Sequence, residues 1–268
     1  MMSEATPRRP ERVGFLDLFA AEWIRVAAVR WALLLLICGS AVTVASAWYF
    51  SRRVLLTPLG RADFDPVHKA FDAEAWSLVC AGAAVLGVLT VAGEYASGSL
   101  RTTFVAVPAR GRVVTAKAAV VAVVASAAGA VTSVTAFATS QARLADEGLG
   151  VSIRDSGAAR AVVVSAVFPA VCGLIGIAAG AVVRHLAGAV ATACGVLVLL
   201  PPLVSSSTGG WSGAFGAAMP THAWLGLARI SPPGAGGYPS PAVAALVLAA
   251  WAAGAVAIAV GAVVRRDQ

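Results

Sequence analysis

The side chains able to do chemistry in this sequence are few, and their spacing excludes more than it assigns. The histidines, His68, His185 and His222, lie far apart in the chain. No His-Glu-x-x-His is present, so no pair of imidazoles one helical turn apart can be offered to zinc. The four cysteines, Cys38, Cys80, Cys172 and Cys194, each lie inside an apolar stretch with no Cys-x-x-Cys pair. They read as buried packing residues, not as a disulfide framework or a metal site. The nearest approach to a Gly-x-Ser-x-Gly elbow is Gly210-Trp211-Ser212-Gly213, which lacks the spacing. Lysine occurs only at Lys69 and Lys117, and neither follows a glycine or precedes a serine or threonine. A phosphate-binding loop needs a lysine at the end of a glycine-rich turn, so this chain cannot hydrolyse ATP by that route. The expectation is a protein that is not an enzyme and holds no cofactor or metal of its own.

Carboxylates are equally telling. Glu74 and Glu94 stand at the ends of apolar runs, and no acidic residue or histidine lies deep within one. Carriers driven by protons or sodium place such groups inside the membrane, because those groups carry the ion. Any transport by this chain would need work supplied from outside it.

The elements that position these residues follow from composition. Of 268 residues, 59% are hydrophobic and only 12% are charged, with a mean hydropathy of +0.84. Soluble domains carry about 25% charged residues. Half that fraction leaves too little polar surface to cover a globule, so the fold class is an all-α integral membrane protein. Charges partition the chain into about six transmembrane helices, predicted at 31–50, 75–93, 118–142, 161–183, 187–204 and 241–264. Pro201-Pro202 is expected to break the outer end of the fifth span. Pro239 and Pro241 suit the start of the sixth. Residues 12–264 are read as one transmembrane domain between a disordered cytoplasmic tail, 1–11, and a short cytoplasmic tail, 265–268. Ala45-Ser46-Ala47 resembles a signal-peptidase site, but the long segment before the first apolar run favours an uncleaved span.

Orientation follows from basic residues. With the N-terminus inside, twelve of the 20 lysines and arginines lie on the cytoplasmic side and eight outside. The cluster Arg101, Arg110, Arg112 and Lys117 is the strongest single indicator. Both termini are then cytoplasmic. The net charge of +7 is explained by this bias, with no need for nucleic acid as a partner. Trp31, Trp48, Tyr49, Trp76 and Tyr95 fall at predicted water boundaries, whereas Trp251 is mid-span. Within 12–30, Phe15, Leu16, Phe19, Trp23 and Val26 share one helical face, and Asp17 and Arg25 fall opposite. This predicts an interfacial helix on the inner leaflet, the alternative being a simple extension of the first span. The segment 205–240, rich in Gly, Pro and Ser, reads as either a re-entrant element or a long outer loop. Gly176 and Gly180 form a Gly-x-x-x-Gly in the fourth span, with Pro169 nearby. Close helix packing accounts for the first and a kink for the second.

One stretch is more specific. Gly93-Glu94-Tyr95-Ala96-Ser97-Gly98-Ser99-Leu100-Arg101-Thr102-Thr103 is followed by Val107-Pro108-Ala109-Arg110-Gly111-Arg112 and Ala116-Lys117. It resembles the cytoplasmic segment of bacterial ABC type-2 transporter permeases of the actinobacterial kind. Glu94, Tyr95, Gly98, Arg101, Thr102, Thr103, Pro108, Arg110, Arg112 and Lys117 match that pattern position by position. Glu22-Trp23, followed by Arg25 and Arg30, looks like the family's Glu-Trp-x-Lys approach to the first span, with arginine in place of lysine. Arg265-Arg266-Asp267 looks like its cytoplasmic end. The outer loops show no such match.

The resemblance implies the membrane subunit of an exporter in the bacterial cytoplasmic membrane. ATP and magnesium would be held by a separate ABC ATPase subunit, and a second permease copy or a paralogue would complete the path. It makes the segment from Glu94 to Lys117 an ATPase-coupling loop. From the residues alone, the same arginines could simply hold topology on anionic lipid. A non-transporting anchoring subunit and a membrane-embedded enzyme are the other readings. A path lined by Ala, Val, Ser and Thr would suit an apolar or amphipathic cargo.

Overall fold

The computed structural model describes residues 14–55, 65, 67, 70–98, 110–146, 148–205, 215–230 and 238–265. The described residues contain helices and no strand. In chain order the helices are α1 (Phe15–Ala28), α2 (Arg30–Leu55), α3 (Ala73–Ser97), α4 (Arg110–Ala145) and α5 (Ala158–Val183). Then come α6 (Leu186–Cys194), a π turn (Gly195–Leu199), α7 (Leu200–Ser205), α8 (Pro220–Ala228) and α9 (Pro241–Arg265). Among the described residues, six helical stretches are long and apolar enough to cross a membrane: Arg30–Arg52, Ala73–Ala96, Arg110–Ala145, Ala158–Val183, Leu186–Val204 and Pro241–Arg265. The chain is a multi-pass, all-α membrane protein. Large apolar side chains such as Leu34, Ile37, Leu246 and Ile258 point outward, as a bilayer solvent permits and water does not.

Local chemistry sets the boundaries. Asp72 caps α3 by accepting from the Ala75 N–H at 3.1 Å. At the other end Gly98 takes φ 71°, the left-handed conformation that glycine adopts without a Cβ clash. Helix α4 has 36 residues and is therefore about 54 Å long, well beyond a hydrocarbon core of about 30 Å. Its first two turns, Arg110–Lys117, precede the apolar run expected from the sequence.

Two differences from the sequence reading have clear causes. Helix α1 is separated from α2 by Val29, which leaves helical geometry (φ −83°, ψ 66°) and donates its N–H to Val26 at 3.0 Å. Its apolar stripe also divides. Leu18, Glu22 and Val26, one residue per turn, face the protein, while Phe15, Leu16, Trp23 and Ile24 are exposed. In the fifth span Pro201-Pro202 does not end the helix. The π turn ahead of it, closed by the Leu200 N–H on the Gly195 carbonyl, starts a new first turn in which Leu200, Pro201 and Pro202 lead. Missing N–H groups are harmless there.

Helix α5 is the centre, packed against α3, α4, α6, α8 and α9. Its contact with α3 is a glycine seam. A methyl on Gly176 would fall on the Ala84 carbonyl oxygen, and one on Gly87 of α3 would fall on that of Gly173. Backbones meet directly, as small residues permit in a bilayer. Helix α8 inserts Trp224, fully buried, between α3 and α5. The indole stacks on Phe168 (centroids 5.1 Å apart, planes 1° apart), lies 5.6 Å from Trp76, and donates Nε1–H to the Ser165 hydroxyl at 2.9 Å. Trp76 is thus buried against other aromatic rings, although its position in the sequence marked a water boundary. Arg160 holds the end of α8 by donating to the Leu227 and Arg229 carbonyls at 3.0 and 2.8 Å. The 205–240 segment therefore contains a packed helix returning among the spans.

Candidate functional site

Three helices meet where α3 ends and α4 begins. Lys117 lies two turns into α4, with 3% of its side chain exposed. An ammonium in such a place requires partners, since desolvating it alone is very costly. It has two: Glu22 of α1, with Nζ 2.7 Å from Oε2, and Glu94 of α3, with Nζ 2.6 Å from Oε1. Arg25, one turn beyond Glu22, donates Nη1–H to Glu22 Oε1 at 2.9 Å and to Glu94 Oε1 at 3.0 Å. Among the described residues, two cations and two carboxylates form this network. Glu22 is nearly as buried as Lys117, Glu94 is slightly more open, and Arg25 forms the wet edge with about half its side chain exposed.

The surrounding sequence builds this geometry. Leu18 of α1 packs on Val113 and Ala116 of α4 in a small apolar cluster, which seats Glu22, four residues on, over Lys117. The spacing of Glu22 and Arg25, three residues apart, puts both on neighbouring positions of one helix. Small residues around Lys117, Ala116 and Ala118, are buried and let the helices approach.

Next to Glu94, Tyr95 faces a different neighbour. The guanidinium of Arg184, the residue that ends α5, lies over the Tyr95 ring at 4.9 Å from its centroid. This geometry is a cation–π contact. Adjacent residues of α3 thus engage α1 and α4 on one side and the α5–α6 turn on the other.

The structure places the residues singled out from the sequence as follows. Glu22, Arg25, Glu94 and Lys117 come together. Tyr95 and Gly98 occupy the last turn and the left-handed cap of α3. Arg110 and Arg112 open α4, Arg110 half-buried and Arg112 exposed. Trp23 stacks on Phe19 along the exposed face of α1, with centroids 6.1 Å apart, and Arg30 is exposed at the first residue of α2. Arg101, Thr102, Thr103 and Pro108 lie outside the described residues. Arg184 was legible from the sequence only as a basic residue at a span end, and its contact with Tyr95 has no signal in spacing. The convergence on Lys117 had one faint signal, a lysine set against an apolar run with no acidic residue beside it in the chain.

Among the described residues, no group of three or more His, Cys, Asp or Glu side chains is arranged to hold a metal ion. What the network can do is mechanical: it ties α1, α3 and α4 into one joint. No family model matches the chain, and no curated protein matches it.

Proposed function

We propose that the chain is the permease subunit of an ATP-binding cassette exporter, forming the translocation path and driven by a separate ATPase subunit. The observation that carries this reading is the convergence of Glu22, Glu94 and Lys117. The segments that resemble type-2 permeases were identified separately along the sequence, at 22–30 and 93–117, and their charged residues form one buried joint. Glu94 lies one turn before the end of α3 and Lys117 two turns into α4, so both helix ends that flank 99–109 are tied into that joint. Force applied to that segment by a docked ATPase would reach α1, α3 and α4 together. The buried pairs favour this role over topology alone, because Lys117 and Glu94 are committed to each other and not to lipid headgroups.

In this reading the joint lies on the cytoplasmic side of a bacterial plasma membrane, both termini are cytoplasmic, and α1 lies along the inner leaflet. ATP and magnesium sit on the partner. A second permease copy or a paralogue completes the path. Between α2 and α4 an open groove of about 580 Å³ is lined by Ser40, Ala41, Val44, Ala45, Thr132, Thr135 and Thr139 with Trp48 and Val131. It contains no charged side chain, which supports an apolar or amphipathic cargo.

The test is biochemical. The tagged chain, solubilised from its native membrane, should bring down an ABC ATPase in stoichiometric amount. In vesicles that pair should hydrolyse ATP and the chain alone should not. Replacing Arg101 and Arg110 by lysine should impair ATP-driven transport while expression and insertion stay normal, since lysine keeps the charge but loses the bidentate fork. Wild-type transport by the double lysine variant would remove these arginines from the docking surface. Absence of any ATPase from the purified complex would overturn the proposal.

A further inference from the structure

The turn between α5 and α6 is built against the usual preference. A helix that ends in the left-handed conformation generally places glycine there, because a side chain costs energy at positive φ. Here the position is Arg184, with φ 55° and ψ 3°, its N–H bonded to the Gly180 carbonyl at 3.1 Å. It is the one described non-glycine residue with positive φ. The link is also short. His185 immediately caps α6, its Nδ1 accepting from the Gly188 N–H at 3.2 Å, so two spans are joined without slack.

Strain kept at such a position requires something that over-determines it. Arg184 Nε and Nη2 are buried and have no hydrogen-bond partner among the described residues, and the guanidinium lies over the Tyr95 ring at 4.9 Å. Tyr95 follows Glu94 directly. The last turn of α3 is therefore gripped by the charge network on one flank and by Arg184 on the other.

We infer that Arg184 is a positioning residue: by holding Tyr95 it fixes the last turn of α3, and with it the carboxylate of Glu94, in register with Lys117 and Arg25. On the exporter reading, on which the functional part of this inference rests, the contact carries movement of the last turn of α3 onward to the α5–α6 link, and so to the fifth span.

Hydrogen exchange of the purified full-length chain in lipid nanodiscs tests the contact without any ATPase. Arg184→Gly relieves the backbone strain, so a purely local role predicts unchanged or slower exchange everywhere. The inference predicts several-fold faster exchange in α1, Phe15–Ala28, the helix that reaches Glu94 through Arg25. Tyr95→Leu should give the same increase, and the double variant no more than either single. Arg184→Lys should restore part of the protection. If the glycine variant is not recovered, Arg184→Gln, which keeps a polar side chain on a short aliphatic stem and loses the cation, makes the same comparison. Unchanged α1 exchange, or fully additive effects of the two substitutions, would overturn the inference. Because no partner is present, that outcome is distinct from failure of the exporter reading, which rests on the copurified ATPase.

Discussion

Lys117 Nζ lies 2.7 Å from Glu22 Oε2 although the two residues are 95 positions apart, and both side chains are almost wholly removed from solvent. The pair joins a helix that precedes the first span to the base of the third. Because Glu94 is held by the same ammonium, loss of the lysine would leave two carboxylates near each other, with the half-exposed Arg25 as the described cation that bonds both.

Lys117→Met should therefore destabilise the protein by about 3–5 kcal/mol, the usual consequence of removing one partner from a buried ion pair. Thermal unfolding in detergent would show a large drop in midpoint. Adding Glu22→Gln to this variant should recover part of the loss, because one uncompensated charge is removed. Independent, additive losses would mean that the two side chains do not interact energetically.

Membrane topology gives a second expectation. Reporter fusions after Arg112 and after Arg265 should both report cytoplasm, and one placed between Arg61 and Lys69 should report the outside. An outside signal after Arg265 would mean that Leu186–Val204 does not cross the membrane, and the exporter layout would fail with it.

At the glycine seam, Gly176→Val should cost about 1–3 kcal/mol or more by overpacking, since even a Cβ at this position collides with the backbone of Ala84. Gly254→Val is the control: its position on α9 has nothing within 4 Å of an added Cβ. Melting curves of the two variants should separate clearly. Equal midpoints would show that α3 and α5 yield at the seam.

Outside the spans, His222 of α8 stacks on Tyr238 at 5.4 Å, and Arg229 lies over the same ring at 4.1 Å. Burial first, and then the positive charge of Arg229, lower the His222 pKa below the ordinary 6.5. With the folded value below the unfolded one, the neutral ring is the form that supports the fold. Its contribution is complete above pH 6.5 and is lost as pH falls from there through the folded value, because the unfolded chain binds the proton first. Hydrogen exchange in Pro220–Ala228 should accelerate as pH falls below 6.5, after correction for intrinsic rates. His222→Gln should flatten that dependence. An identical pH profile in the variant would assign the effect elsewhere.

The spans were legible in the sequence because a bilayer enforces them: uninterrupted apolar runs of about twenty residues have few alternatives to crossing. Gly98 was legible as a turn for a similar reason, since positive φ selects glycine. The π turn before Pro201 was not, because proline announces a missing N–H without saying whether the helix stops or shifts its hydrogen-bond register. Val26 was placed on the lipid-facing stripe of α1, and the structure turns it to the protein with Leu18 and Glu22. Periodicity alone does not distinguish a face that meets lipid from one that meets α4. The joint itself was hidden for a different reason. Glu94 and Lys117 have an adequate local explanation as markers of span ends, and Glu22 as part of the interfacial helix, so only the tertiary arrangement shows that they pair with one another.

The glycine seam constrains how such a molecule can move. Where α3 and α5 touch backbone to backbone, no side chain intervenes to change rotamer and let one helix slide past the other. A ridge of carbonyls set against flat glycine surfaces behaves as a keyed joint, stiff in shear. The two helices then form a single beam through the bilayer. Large displacements fall to the helices that this beam carries on its flanks: α2, the α6–α7 span with its widened turn, and α9. Any opening of a path would be a swing of these outer members about a fixed spine, and a cross-link between α3 and α5 would leave it free to occur.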